Sequence, residues 1–357
     1  MYHRSPLEGP LFMHTDHRTP RLSVGLPVYN GEKYVSQAID SLLGQTYEDF
    51  ELIISDNAST DGTADICQQY AQQDARIRYL RQPRNIGLAP NHNYVFAQAR
   101  GELFKWAAAD DLYGRDLFKL CIEALDAHPE VVLAHAWEAA IDADSHVYQS
   151  LEYPLATGSP SAPERFRSIL FGSSGLFEST DPDVPGLVRV DNRGILRSCD
   201  QYGVIRSDVL RRVAPLDSYH HSDRIITVEL ALHGPFHITP QWLYFRRDYP
   251  DRTYNQSPKV RDRCAILDPA RTSALRNPTA LLVAEYFHGY YAAIRRAPLS
   301  GADRRACRRE LAHWILDRAA CAVFPGHFAR TEVKLSGDLV DARVSLPASV
   351  AGQEQRT

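Results

Sequence analysis

Asp110 and Asp111 stand side by side just beyond the hydrophobic run of residues 103–108. Two adjacent carboxylates at a strand end can hold a hard divalent cation, and such a cation commonly holds phosphate oxygens. Two polar clusters lie upstream, Leu26-Pro-Val-Tyr-Asn-Gly-Glu32 and Ser55-Asp-Asn-Ala-Ser-Thr-Asp-Gly-Thr63. Each also ends an apolar run. Open α/β sheets bind ligands at the carboxyl ends of their parallel strands. Three such ends rich in oxygen and turn residues therefore point to a charged, phosphate-bearing ligand.

The elements that must carry these clusters alternate. Strands are expected at residues 22–28, 50–54, 77–80, 103–108 and 131–136. Between them, apolar residues recur at helical spacing. Tyr34, Val35, Ala38, Ile39, Leu42 and Leu43 form one such face, stopped by Gly44. Ile66, Cys67, Tyr70 and Ala71 form a second, after the capping residues Ser59, Thr60 and Asp61. Val95, Phe96 and Ala99 mark a third, and Leu117, Leu120, Cys121, Ala124 and Leu125 a fourth. This order predicts an α/β fold with a mostly parallel sheet covered by helices on both faces.

The pattern then breaks. Residues 150–195 are rich in Pro, Gly and Ser and read as loops. Regularity returns with a helix from Asp223 to Gly234, a strand at 237–245 and helices at about 279–295 and 302–323. The expected organisation is a flexible leader (1–19), a ligand-binding core (20–145) and a second functional part (146–255). C-terminal helices (256–330) and a poorly ordered tail (331–357) follow.

The net charge of −4 gives no sign of a nucleic-acid surface. Six scattered cysteines, without a CxxC pair or zinc spacing, fit a reduced compartment, and a cytoplasmic protein is expected. The first twenty residues lack a signal-peptide core. The longest apolar stretch, 311–324, is broken by Asp317 and Arg318. Peripheral membrane contact and a homodimer stay open. The first strand leads into Tyr29-Asn-Gly-Glu32 rather than GxGxxG, and no GKS or GKT loop occurs, which argues against a nicotinamide dehydrogenase or a P-loop enzyme.

Four elements in order, Pro27-Val-Tyr-Asn-Gly-Glu32, Asp56-Asn-Ala-Ser-Thr-Asp-Gly-Thr63, Asn85-Ile-Gly87 and Ala109-Asp-Asp111, resemble family 2 glycosyltransferases. The resemblance covers roughly residues 20–140 and is weaker from 200 to 250. It implies a GT-A fold and inverting transfer from a nucleoside-diphosphate sugar to a saccharide or small-molecule acceptor, with Mn²⁺ or Mg²⁺ as cofactor. Carried over, Asp110 meets the ribose or the metal, and Asp111 the metal. Pro27, Tyr29, Asn30 and Glu32 fall in the donor-binding loop, with Tyr29 near the base; Glu32 equally suits the dipole of the first helix. Asp56 and Asn57 occupy the base-reading position. An Asn amide can pair with a uracil or thymine edge, so UDP or dTDP is the expected donor nucleotide, although GDP offers a similar edge. Arg84 and Asn85 flank the base and diphosphate. Asp223, at a helix start after an Arg-rich segment, is the expected catalytic base, with Asp200 as runner-up. Arg246 or Arg247 is expected to hold phosphate, and Asp248 to ligate the metal.

The chain departs from the family pattern in three places. Ala108 stands where a further acid is common, Asn57 where Asp is usual, and residues 245–250 lack the expected His, with Tyr249 in its neighbourhood. These departures support the alternative of a nucleotide-sugar-binding protein with a degraded catalytic site.

Overall fold

The computed structural model describes residues 19–151, 155–171, 175–178, 187–190, 200–218, 222–250, 252, 260–269 and 279–323. The expected leader and tail lie outside these residues, apart from the leader's last residue. The first four strands are β1 (Leu22–Val28), β2 (Phe50–Asp56), β3 (Ile77–Arg81) and β4 (Leu103–Trp106). They alternate with helices α1 (Val35–Leu43), α2 (Thr63–Gln73) and α3 (Leu88–Ala97). Then come β5 (Leu112–Tyr113), α4 (Leu117–Ala127), β6 (Leu133–Ile141), β7 (Val147–Leu151) and α5 (Ala162–Phe171). A small hairpin, β8 (Gly175–Glu178) and β9 (Leu187–Val190), precedes β10 (Val204–Arg206) and α6 (Ser207–Leu210). The chain ends with α7 (Ser222–His233), β11 (Phe236–Arg247), α8 (Val260–Leu267), α9 (Thr279–Arg296) and α10 (Gly301–Val323).

The main sheet runs in the order β3-β2-β1-β4-β10-β6-β11-β5, with β7 paired to β6. Strands β1, β2, β3 and β4 are parallel. The short β10 is antiparallel to both β4 and β6, so β6 and its parallel neighbour β11 point the same way as β1. Every residue of β1 and β2 is buried, as expected for strands covered on both faces. Alternation divides their side chains. Leu22, Val24, Leu26 and Val28 pack with α1, α2 and α4 on one face. Ile53, Phe104 and Trp106 pack with α3, α5, α7, α9 and α10 on the other. Gly25 lets α3 come close: a Cβ there would lie 2.7 Å from Val95 Cγ2 and 2.9 Å from Phe104 Cζ.

The expected helix faces are seen, and α1 does stop at Gly44, whose N–H donates to Asp40 O at 2.9 Å. Three expectations are corrected. Residues 150–195 are not all loop, because α5 packs Phe166, Ile169 and Leu170 into the core. Arg165, on the same helix, hid the pattern: it is buried and donates to Ala231 O and Ser159 O, both at 2.6 Å. The strand after residue 131 extends to Ile141, paired with β11 as far as its last residue. The two-residue β5 was also missed, being too short for any periodicity to show.

Candidate active site

The carboxyl ends of β1 and β2 are joined by their side chains. Asn30, in the left-handed region with φ 50°, receives Thr60 N–H on its Oδ1 at 2.9 Å and donates its own N–H to Ser59 Oγ at 2.9 Å. Gly31 N–H donates to Thr63 Oγ1 at 2.8 Å, and Glu32 N–H to Asp61 Oδ2 at 3.1 Å. Glu32 Oε2 accepts from Gly62 N–H at 2.9 Å, so this acid caps α2 rather than the helix it precedes. Pro27 lies within the buried β1, paired with Ser55. Tyr29 follows at the edge, 48% exposed. Asp56 is buried, its oxygens accepting from Ser59 N–H and from the Tyr79 hydroxyl, both at 2.8 Å.

Asn57 is also buried and holds the loop after β3. Its Nδ2 donates to Asn85 Oδ1 (3.0 Å) and Gly87 O (3.2 Å), while its Oδ1 accepts from Ile86 N–H (2.9 Å). Gly87 sits at φ 94°, and a Cβ there would lie 2.5 Å from Leu267 O. Both the dihedral and the close approach of α8 require glycine. Arg84 projects from this loop into solvent.

The acidic pair divides into a buried and an accessible member. A sharp bend after β4 is pinned by the Tyr113 hydroxyl, which accepts from Ala108 N–H at 2.7 Å and lies 3.2 Å from Ala108 O. Strand β5 then pairs antiparallel with β11, Tyr113 against Tyr244 and Leu112 against Phe245. This pairing delivers the end of β11 to the acids. Asp111 is fully buried, its Oδ2 accepting a short hydrogen bond from the Tyr244 hydroxyl and its Oδ1 accepting from Arg247 N–H at 2.9 Å. Burial, reinforced by the charge of Asp110, pushes its pKa up to about 6. Asp110 is partly exposed; its Oδ2 lies 3.3 Å from the Tyr249 hydroxyl and 3.5 Å from Arg252 Nε. Burial opposes the charge of Arg252, but Asp110 and Asp111 outweigh it and hold the guanidinium above its usual range.

The Arg-rich end of β11 is mostly committed to the protein. Arg247 is fully buried, donating to Asp110 O (2.9 Å), Asp142 O, Ala143 O, Ser145 Oγ and Gln37 Oε1, with its guanidinium 4.3 Å from the Tyr34 ring centroid. Arg246 pairs with Glu138 at 2.5 Å. Asp248 faces the Tyr148 hydroxyl at 3.4 Å. Tyr249 packs on Tyr34 with centroids 4.9 Å apart, and Lys33 Nζ lies 5.0 Å from the Tyr34 ring. Arg252, which the sequence reading passed over, is the arginine that meets the acids; its only signal was its place at the end of that basic run.

Among the described residues, three potential metal ligands come within 4.8 Å of one another only at Asp142, Asp144 and His146, in the β6–β7 turn. Asp110, Asp111 and Asp248 do not close to that spacing. The turn cluster leans on Arg247 through the carbonyl of Asp142.

Asp223 lies on the same edge of the sheet as the acidic pair. Helix α7 leads directly into β11 and must run opposite to it, so the helix begins where the parallel strands end. Asp223 is partly buried; burial raises its pKa, against a 3.0 Å hydrogen bond from Arg224 N–H to its Oδ1. Asp200 falls in a single 3-10 turn, Asp200–Tyr202, just before β10, at the same edge.

A family model described as glycosyl transferase family 2 matches residues 23–182. Residues 23–182 are thus similar to glycosyltransferase family 2. Glycosyltransferase GlyG of Streptococcus pneumoniae serotype 4 is 34% identical over 98 residues, 28% of this chain and 33% of GlyG. EpsJ of Bacillus subtilis, an uncharacterized glycosyltransferase, is 31% identical over 149 residues, 42% of this chain and 43% of EpsJ. The matches thus span less than half of these relatives. The crystal structure of S. aureus TarS 1-349 in complex with UDP-GlcNAc has a TM-score of 0.56 at 17% identity, covering 88% of this chain and 76% of that one. Covering 88% of this chain, that likeness in fold reaches beyond residues 23–182. No helix among the described residues is long and apolar enough to cross a membrane.

Proposed function

We propose that the chain is a metal-dependent inverting glycosyltransferase that moves a hexosyl group from a UDP- or dTDP-sugar to an acceptor hydroxyl. The observation that carries this reading is the divided acidic pair. Asp110 offers hard oxygens at the sheet edge, while Asp111 beneath it is buried with an elevated pKa. Two carboxylates so placed leave negative charge that a cation relieves, so the donor set fits Mn²⁺ or Mg²⁺. Asp110 would hold the cation, with Asp111 supporting it from below. When bound, the cation neutralises charge gathering on the departing diphosphate.

The chain's own residues supply the rest. Tyr29 presents an exposed ring to the base. Asn57 acts through the loop it holds, setting Asn85 and Arg84 beside the diphosphate. Tyr249 and Arg252 border Asp110, and Lys33 stands over the Tyr249 ring, so the three limit how the phosphates can lie. Asp223 takes the acceptor's proton as its oxygen bonds to the anomeric carbon; the bond to the diphosphate breaks on the opposite face, and the nucleoside diphosphate leaves. UDP heads the donor panel because the fold neighbour TarS was solved with UDP-GlcNAc. The acceptor is a soluble or membrane-surface glycan precursor or a small natural product.

One observation favours a second reading, binding without turnover. Arg252 already stands 3.5 Å from Asp110, where an added cation would sit. Calorimetric titration of UDP with Mn²⁺ and then with EDTA separates the two. Mn²⁺-dependent binding that is lost in Asp110→Ala is expected. Equal binding in EDTA removes the metal, and a bound donor sugar that is never transferred or hydrolysed leaves the second reading.

A further inference from the structure

Helices α9 and α10 fold back on each other. Arg304 donates to the carbonyls of Arg295 (2.8 Å) and Ala297 (3.1 Å), and Tyr290 meets Trp314 edge to face with centroids 5.4 Å apart. Cys307 and Leu311 of α10 are buried in the core with Ala293, Ile294 and Ala297. The opposite side of α10 faces outward. Its exposed residues Arg305, Arg309, Ala312 and Leu316 recur at the three- and four-residue spacing of one helix face. Arg308 flanks this stripe and lies 5.5 Å from the Tyr291 ring centroid, and Tyr291 stacks on Phe287 at 6.0 Å. Ile315, seven residues after Arg308, continues the flank. The surface is therefore basic along one stretch and apolar along the next. Leu316 is 67% exposed, Phe287 42% and Ile315 37%, in a fold that leaves few large hydrophobic side chains so open among the described residues. Among the described residues, no carboxylate pairs with Arg305, Arg308 or Arg309; Glu310, on the same helix, is turned to Arg167 (3.8 Å) and His313 (3.9 Å). The chain's net charge is −4, so this gathering of arginines is a local feature.

We infer that this face docks the chain on an anionic lipid bilayer. The arginines rest among the headgroups, and Leu316, Ile315 and Phe287 enter the acyl boundary, as in helices that lie in a membrane surface. Charge and apolarity together select this occupant. A second copy of the same face would set the arginines against one another. A nucleic acid would satisfy the arginines but press phosphates onto three apolar side chains. Position agrees: Phe287 adjoins Tyr286, a residue under the field of Asp223, so the apolar end of the surface lies toward the edge of the sheet that holds the acids. Docking brings that edge close to the bilayer.

The test floats the full chain with vesicles of equal parts phosphatidylglycerol and phosphatidylcholine, and with phosphatidylcholine vesicles. Binding to the anionic vesicles alone is expected. An arginine near an anionic surface strengthens partitioning roughly fivefold, so the triple variant Arg305→Gln, Arg308→Gln, Arg309→Gln should weaken binding by about 100-fold. Leu316→Ser should weaken it by roughly threefold or more, because the buried apolar area is lost. Melting curves check that both variants fold. The proposal is overturned by a wild type that stays off the anionic vesicles at low salt, by equal binding to both vesicles, or by binding unchanged in the triple variant. It is also overturned by binding that Leu316→Ser leaves intact, which would point to an acidic protein surface instead. Wild-type self-association abolished in the triple variant, read by sedimentation equilibrium, would give the face to a second copy. A duplex oligonucleotide bound as tightly as the vesicles would give it to nucleic acid, and either result sinks the lipid assignment.

Discussion

Substituting Asp223 by Asn separates catalysis from folding, because the two should respond with opposite signs. A positioned general base contributes roughly 10²–10⁴-fold, or about 2.7–5.5 kcal/mol of barrier. Asn is nearly isosteric, and its Oδ1 can still accept the 3.0 Å bond from Arg224 N–H. Burial raises the pKa of Asp223 in the fold above its ordinary 3.8. For an acid with a raised folded pKa, the unfolded chain releases the proton first. Stability is therefore lost as pH climbs from the unfolded to the folded pKa, and stays lost above it. Asn never ionises and escapes that loss. At neutral pH, Asp223→Asn should melt no lower than the wild type, while kcat falls by roughly 10²–10⁴-fold. The wild-type rate should also drop toward acid through the raised pKa, a limb absent from the variant. The assay is UDP release with and without acceptor across pH, alongside calorimetric melting. A variant within threefold of wild-type kcat with the same acid limb would refute the assignment. A large loss of Tm would show that the carboxylate is structural.

Three other outcomes follow from the site. Asp111 must be ionised to support a cation, so Mn²⁺-dependent UDP binding should weaken as pH falls through about 6; calorimetry at several pH values reads this, and a flat profile counts against it. Arg252→Ala removes the cation nearest Asp110, so Mn²⁺ should bind several-fold tighter by paramagnetic relaxation; weaker binding would make Arg252 a supporting rather than a competing group. Gly87→Ala forces a side chain into φ 94° and to within 2.5 Å of Leu267 O, and should cost about 1–3 kcal/mol in denaturant unfolding; a neutral result would mean that α8 does not press on this loop.

Local signals were enough for the first half of the chain. Apolar alternation and helical spacing predicted β1 to β4 and α1 to α4, because burial on a fixed face leaves a period in the sequence. The polar strand ends were equally plain. Turn residues such as Asn30 and Ser59 bind backbone within a few residues of themselves or across one neighbouring loop, so their type announces their place. The carboxylates at 110 and 111 were visible for the same reason.

What the two acids do was decided by parts remote in sequence. Whether Asp111 is buried or accessible depends on Tyr244 and Arg247, more than 130 residues away, brought in by a two-residue strand that leaves no pattern. Arg247 looked like a phosphate ligand by type; five protein acceptors, from Gln37 to Ser145, made it a buried pin instead. Arg252 took the place beside Asp110 that the preceding arginines could not. Asn57 had the right atoms to read a base, but the loop at 85–87 folded back onto them. The sequence by itself determined which chemistry is present and the edge on which it gathers, since hydrophobic period and turn type are local properties. Only the tertiary structure decided which charged groups are buried and paired, because pairing and burial depend on partners that no spacing along the chain can show.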